Sequence, residues 1–289
     1  MKTSTEIGSL AKLVGEEKAI ETIAKAGFDC WDFTLVYNMV RYECQSKSCC
    51  YPDTPLNGKD YLSYVRRLKK TGEDNGIYCN QSHAPFPVAA KGIRDNLKKS
   101  IEISAEAGSK IIIIHPDNNK TAEENAETYS ELLPFAKDCG IKIATENMWN
   151  WDNSQGHAVK AACSDGEDFL KHILAVNDEN FVACVDIGHA EMKGLNTSAE
   201  SMIRTLGSHV AALHIHDNDK LRDLHELPFT DKIDFKGVVK ALKDINYKGY
   251  FTLEADSYLK KEDDEKTIFE KVKNMASVAK RIEDEFLRK

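Results

Sequence analysis

The residues of this chain that can do chemistry fall at the ends of apolar runs. Such runs finish in Ser82-His83-Ala84-Pro85, His115-Pro116, Glu146-Asn147, Asp186-Ile187-Gly188-His189, His214-Ile215-His216-Asp217 and Glu254-Ala255-Asp256. Five of the nine histidines and five carboxylates occupy these positions, too many to be isolated polar strand termini. Imidazoles and carboxylates arriving together from neighbouring segments are the donors that a divalent ion with nitrogen and oxygen ligands requires. In His214-Ile215-His216 the two imidazoles share one face of a strand and Ile215 takes the other, so one or both can ligate. Metal-assisted chemistry is the first expectation.

The elements that must position these groups follow from hydrophobic periodicity. Eight β-rich runs are expected: Thr3 to Gly8, Phe28 to Leu35, Ile77 to His83, Lys110 to His115, Ile141 to Asn147, Phe181 to His189, Val210 to Asp217 and Tyr250 to Asp256. Amphipathic stretches lie between them, such as Glu16 to Ala26, Asp60 to Lys70 and a last one carrying Ile268, Val272, Ile282 and Phe286. Glycines 27, 76, 108, 140 and 249 each stand just past a helix and before an apolar run. Eight strand and helix units in 289 residues predict an α/β fold, a (β/α)8 TIM barrel built as a single domain over residues 1–289. In such a barrel the site forms at the C-terminal strand ends, where the donors are. The aperiodic stretch Val36 to Gly58 is a candidate lid over the barrel mouth.

Composition sets the class. The chain has 39 Lys+Arg against 47 Asp+Glu, a net charge of −8, and is 42% hydrophobic. That content builds a large core, and the acidic balance offers no basic field for nucleic acid. The longest aliphatic run is Ile111 to Ile114, far below the roughly 18 residues of a membrane span, and the N-terminus lacks a signal-peptide layout. Eight cysteines without a CxxC pair read as reduced thiols, so a soluble cytoplasmic protein is expected. Cys44, Cys49 and Cys50 read as plain lid thiols, and no GxGxxG or Walker pattern implies a nucleotide cofactor.

The motifs resemble a family. Asp186-x-x-His189, His214-x-His216, Glu146 after Ile-Lys-Ile-Ala, Phe251-Thr-Leu-Glu254 and the stretch from His216 to Asp234 are similar to the xylose-isomerase-like (β/α)8 superfamily, and most of all to its sugar phosphate isomerase/epimerase group. The resemblance covers almost the whole chain. It implies one divalent ion (Mn²⁺, Mg²⁺, Co²⁺ or Zn²⁺) on Glu146, Asp186, His216 and Glu254. It also implies substrate contacts at His189 and Arg222, and at Asp152, where the family has a glutamate. His83, His115 and Trp31 complete the expected substrate wall, with Phe86, Trp149 and Trp151 as further stacking candidates. The activity implied is a metal-dependent isomerase or epimerase of a small sugar, sugar phosphate or keto-polyol. An ion can stabilise a cis-enediolate, while Glu146 and Glu254 remove and return the α-proton from opposite faces. Isomerisation, epimerisation and dehydration all begin from that intermediate, and a homo-oligomer is compatible with the sequence.

A second group of the same superfamily, the trinuclear-zinc apurinic/apyrimidinic endonucleases, is also resembled. His83, His115, Glu146, Asp186, His189, His214, Asp223, His225 and Glu254 match its nine-ligand set. Cleavage of duplex DNA needs basic loops, yet Val36 to Gly58 holds only Arg41 and Lys47, and Asn147 to Ser164 only Lys160. A non-catalytic barrel would be expected to lose a ligand, and none is missing. His157, His172 and His209 are expected at the surface or at caps.

Overall fold

The computed structural model describes residues 1–36, 38–43 and 48–288. Eight parallel strands form one sheet: β1 (Thr3–Glu6), β2 (Cys30–Thr34), β3 (Tyr78–His83), β4 (Ile111–Ile113), β5 (Lys142–Glu146), β6 (Phe181–Asp186), β7 (Val210–His214) and β8 (Phe251–Leu253). Each lies beside its neighbour in sequence, and β1 lies beside β8. The ring closes where Ile215 N donates to Thr252 O at 2.9 Å and Glu254 N donates to Ile215 O at 3.0 Å. This is the expected TIM barrel, with every expected run supplying one strand.

Helices cover the outside: α1 (Gly8–Val14), α2 (Glu16–Ala26), α3 (Tyr61–Asp74), α4 (Ile93–Ala107), α5 (Ala122–Asp138), α6 (Gly166–Val176), α7 (Ile187–Ala190), α8 (Ala199–Leu206), α9 (Phe235–Asp244) and α10 (Glu265–Leu287). Local chemistry sets their ends. Thr121 and Glu124 cap α5 reciprocally, and Glu16 and Glu17 in the first turn of α2 face Lys25 in its last, complementing the helix dipole. Gly27, Gly76, Gly108 and Gly140 adopt positive φ, as a chain leaving a helix for a strand requires.

Strand alternation divides the side chains. Trp31, Phe33, Ile112, Ile143, Val185 and Leu213 belong to the main core shared with the helices, while Ile113, Ala144, Cys184 and Ala212 form a small separate cluster. The rest of the barrel interior is polar. Ser4 Oγ donates to Asn80 Oδ1 at 2.6 Å, Thr252 Oγ1 to Gln81 Oε1 at 3.2 Å, and Gln81 Nε2 to Asp32 Oδ2 at 2.9 Å.

The described part of the stretch Val36 to Gly58 holds a hairpin (Arg41–Glu43 against Ser48–Cys50) and bonds to α2 and α4. Asn38 bonds Glu16 of α2, and Tyr51 and Met39 bond Asn96 and Ser100 of α4. Cys49 and Cys50 are free thiols, and Cys44 lies outside the described residues. His172 is not a surface residue: it is buried between α5 and α6, with Nε2 3.3 Å from Asn125.

Candidate metal centre

Strand register sets the floor of the site. Glu146, Asp186 and His214 are the last residues of β5, β6 and β7, and Glu254 follows β8. Asp186 pairs level with His214, so both side chains enter the barrel at the same height. His214 Nδ1 lies 3.2 Å from Glu146 Oε1 and 3.3 Å from Glu254 Oε2. His83 and His115, from the ends of β3 and β4, approach Glu146 Oε2 at 3.6 and 3.3 Å.

Two short devices return further donors to this floor. Asp186 caps α7, accepting from His189 N at 2.7 Å, so the chain turns at once and His189 faces inward. After β7, the buried Asp217 carboxylate accepts from the backbone N–H of Asn218, Thr230, Asp231 and Ile233 at 2.9 to 3.1 Å. That ties the loop into a closed form and places Asp223 Oδ2 3.2 Å from both His189 Nε2 and His225 Nε2.

Electrostatics fit a cation. Glu146, Asp186, Asp223 and Glu254 are four carboxylates gathered at one buried floor, and their close partners are imidazoles. Burial alone would raise Glu146, but His214, His115 and His83 hold it well below the usual carboxylate range. Asp223 is likewise held well below, its burial outweighed by His189 and His225. Glu254 goes the other way: burial raises it, with Glu146 and Asp186 adding to the rise. His189, against the effect of burial, is pushed up to about 10 by Asp186 and Asp223, whereas burial takes His115 down to about 4. Glu146 Oε2, Asp186 Oδ2, His214 Nδ1 and Asp223 Oδ1 are buried and have no hydrogen-bond partner. Unpartnered buried donors are costly, and a divalent ion satisfies such a set. The donor atoms form groups within 4.8 Å of one another: His83, His115 and Glu146; Glu146, Asp186, His214 and Glu254; and His189, His216, Asp223 and His225.

The structure brings together most of the expected residues. Glu146, Asp186 and Glu254 share a group, and its fourth member is His214 where His216 was expected. His216 lies two residues beyond His214, about 6.6 Å further along an extended chain. There its Nε2 meets Asp186 Oδ1 at 3.1 Å and its ring stacks on His225 at 4.0 Å. Gly188 admits that ring, since an added Cβ would sit inside it. His83, His115 and His189 line the cavity above the floor.

Trp31, Asp152 and Arg222 are placed elsewhere. Trp31 points outward from β2 into the helical layer, its Nε1 against Gly72 of α3, because Asp32 takes the inward position. Asp152 spends its carboxylate on a turn, accepting from Ser154 and Gln155, which lowers it to about 2. Arg222 pairs with Asp219 at 2.8 Å with its side chain 64% exposed. Sequence reading missed Asp32, Asn147 and Glu6. Asn147 grips the backbone of Asp186 at 2.8 and 2.9 Å, and Glu6, buried at the end of β1, is pushed up to about 7. A charge inside an otherwise apolar run was the available signal for Asp32.

Above the floor is a cavity of about 490 Å³. Phe86, Pro87, Val88, Met148 and Trp149 wall one part, and Asn118, Asn119 and Asn150 another. No Lys or Arg occurs among its described lining residues.

A closed parallel barrel with its donors at the C-terminal strand ends defines the class of fold and site. Residues 20–278 match the model of the xylose isomerase-like TIM barrel family, and the chain belongs to that family. It is 25% identical over 254 residues to uncharacterized protein MJ1311 of Methanocaldococcus jannaschii, covering 82% of this chain and 78% of the relative. It is 26% identical over 129 residues to fructoselysine 3-epimerase of Escherichia coli O157:H7, covering 45% of this chain and 44% of that protein. Among solved structures, a D-tagatose 3-epimerase-like protein superimposes with a TM-score of 0.70 at 23% identity, covering 99% and 97% of the two chains. The D-psicose 3-epimerase of Clostridium cellulolyticum H10 does so with 0.69 at 16% identity, covering 98% and 99%. These structural likenesses establish the fold. No described helix is long and apolar enough to cross a membrane.

Proposed function

We propose that the chain is a divalent-metal-dependent isomerase or epimerase of a small sugar, sugar phosphate or keto-polyol. The observation that carries this reading is the pair Glu146 and Glu254. The two carboxylates come from strands that are not neighbours in the ring, meet across one His214 nitrogen, and have their proton affinities pushed apart. Carboxylates whose environments separate them in this way suit base and acid roles at one carbon. A bound divalent ion would supply Lewis acidity, lowering the cost of the negative charge of a cis-enediolate. Glu146, Asp186, His214 and Glu254 would hold it. Glu146, kept ionised, takes a proton at the substrate α-carbon, and Glu254 returns one from the other face. His83, His115 and His189 orient substrate oxygens, and Phe86 and Trp149 cover the apolar face of the ring. A cavity of about 490 Å³ suits a monosaccharide-sized ligand, and the sugar epimerases among the relatives agree with that class.

The test is solvent deuterium incorporation at the α-carbon across a panel of ketoses. Glu146→Gln and Glu254→Gln are each expected to abolish it in a folded protein; retained exchange in either overturns the acid/base assignment.

A second reading is favoured by a specific observation: the nine residues that resemble the trinuclear-zinc endonuclease ligands all fall in the donor groups at the strand ends. It is a phosphodiesterase with two or three zinc ions. Against it stands the cavity, whose described lining offers no cation to a phosphate. Elemental analysis of protein purified without chelator separates the two: about one ion per chain favours the sugar enzyme, and two or three zinc ions direct attention to phosphodiesters.

A further inference from the structure

Three of the histidines that face the donor groups are held from behind by the backbone. In His83, His189 and His225 the held atom is Nδ1, lying 2.9 Å from the backbone oxygens of Ala84, Asn147 and Glu254 respectively. A carbonyl only accepts, so these Nδ1 atoms carry the proton and Nε2 is left facing the carboxylates. His214 is reversed. Its Nδ1 faces Glu146 and Glu254, and its Nε2 lies 3.4 Å from Asp32 Oδ2. Asp32 is 1% exposed and is held by Gln81 Nε2 at 2.9 Å. Its other oxygen is buried with no hydrogen-bond partner.

A charged side chain at this level of a barrel is unusual, because branched apolar residues ordinarily fill it. Among the described residues, Asp32 is bonded by Gln81 and faced by His214, with no Lys or Arg beside it to balance the charge. A buried carboxylate is unfavourable unless what it contacts makes use of the charge. The same geometry recurs behind metal-bound imidazoles generally, where an outer carboxylate fixes the tautomer and strengthens the inner nitrogen as a donor.

We propose that Asp32 is a positioning residue of the metal centre: it holds His214 as the Nε2–H tautomer and turns the Nδ1 lone pair toward the ion shared with Glu146, Asp186 and Glu254. This rests on the reading of His214 as a ligand. It separates His214 from His83, His189 and His225, whose rear contacts are neutral carbonyls. The His214 site is therefore the one whose affinity depends on a removable charge.

The experiment is metal titration of the full chain after stripping, with Co²⁺ and Zn²⁺ in competition with a chromophoric chelator. The Co²⁺ absorption bands and the melting temperature of the metal-free protein are recorded alongside. Asp32→Asn keeps the shape and removes the charge; it is expected to weaken the tightest ion roughly 10- to 100-fold and to shift the Co²⁺ bands. Asp32→Ala is expected to lose at least as much. Gln81→Met keeps the carboxylate but removes its donor, and is expected to cause a smaller loss. A folded Asp32→Asn variant with wild-type affinity and bands overturns the proposal, as does a variant that lowers only the melting temperature. Should neither Asp32 variant fold, wild-type affinity and bands in Gln81→Met overturn it. A wild-type chain that binds neither ion overturns the reading of His214 as a ligand, and this inference with it.

Discussion

Two buried polar clusters share the barrel interior, and they differ in one respect. In the lower cluster Ser4, Asn80, Gln81 and Thr252 bond one another at 2.6 to 3.3 Å. In the upper one Glu146, Asp186, His214 and Asp223 each keep a buried atom with no hydrogen-bond partner. Both clusters lie inside the same ring of strands, so burial alone does not explain the difference. A satisfied network fills the barrel as a polar substitute for apolar side chains. An unsatisfied one at the C-terminal strand ends is a place where a ligand completes the bonding.

Substitutions in the two clusters should therefore act on different observables. Glu146→Gln, at a residue shared by three donor groups, is expected to lower α-proton exchange by about 10³-fold or more and to weaken metal binding. Thr252→Val, which leaves Asn80 and Gln81 short of a partner, is expected to cost about 1–3 kcal/mol of stability by denaturant melting while exchange stays near wild type. Comparable loss of exchange from both would break the division between a working and a structural cluster.

Glu6 sharpens the comparison, because it is a rim carboxylate outside both clusters. Burial pushes it up from 4.5 to about 7, with Asp256 and Glu254 adding to the rise against bonds from Ser9. The folded state then binds a proton more tightly than the unfolded chain. Stability from this group is full below about pH 4.5 and is lost as the pH rises through about 7, in total about 3 kcal/mol. Glu6→Gln cannot ionise, so its stability should vary less with pH across that window, the gap to wild type growing toward pH 7. Parallel curves measured by denaturant titration at several pH values would remove Glu6 as the source.

Much of this was legible in the sequence because parallel strands are buried on both faces and helices repeat every 3.6 residues. The helix expected over Glu16 to Ala26 is observed over those residues. Strand ends carried the donors in plain view. What one chain does not reveal is parity and register. In Cys30-Trp31-Asp32-Phe33 nothing local says that Trp31 faces the helices and Asp32 the barrel, since both neighbours of each are apolar or buried. Choosing between His214 and His216 needs the pairing of β7 with β6, a relation between strands distant in sequence. Asp152 misled for a different reason: its commitment to Ser154 and Gln155 is a turn geometry that competes for the same carboxylate.

Arg222 gives the smallest expected effect and the clearest check on the loop after β7. The family resemblance assigns it to a substrate oxygen, whereas the structure pairs its guanidinium with Asp219 and leaves it 64% exposed. Exposed ion pairs contribute little, so Arg222→Ala should change stability by well under about 1 kcal/mol. It should also change KM by less than about twofold, because the cavity lining does not include it. A tenfold rise in KM, worth about 1.4 kcal/mol of substrate binding, would mean that the guanidinium leaves Asp219 when substrate enters. Asp219→Asn distinguishes the two cases. If Arg222 must be released to bind substrate, weakening its partner lowers KM. If Asp219 simply ties the loop, accepting from the backbone N–H of Leu221 and Arg222 at 2.9 and 2.7 Å, the same change loosens the loop that carries Asp223 and KM does not fall.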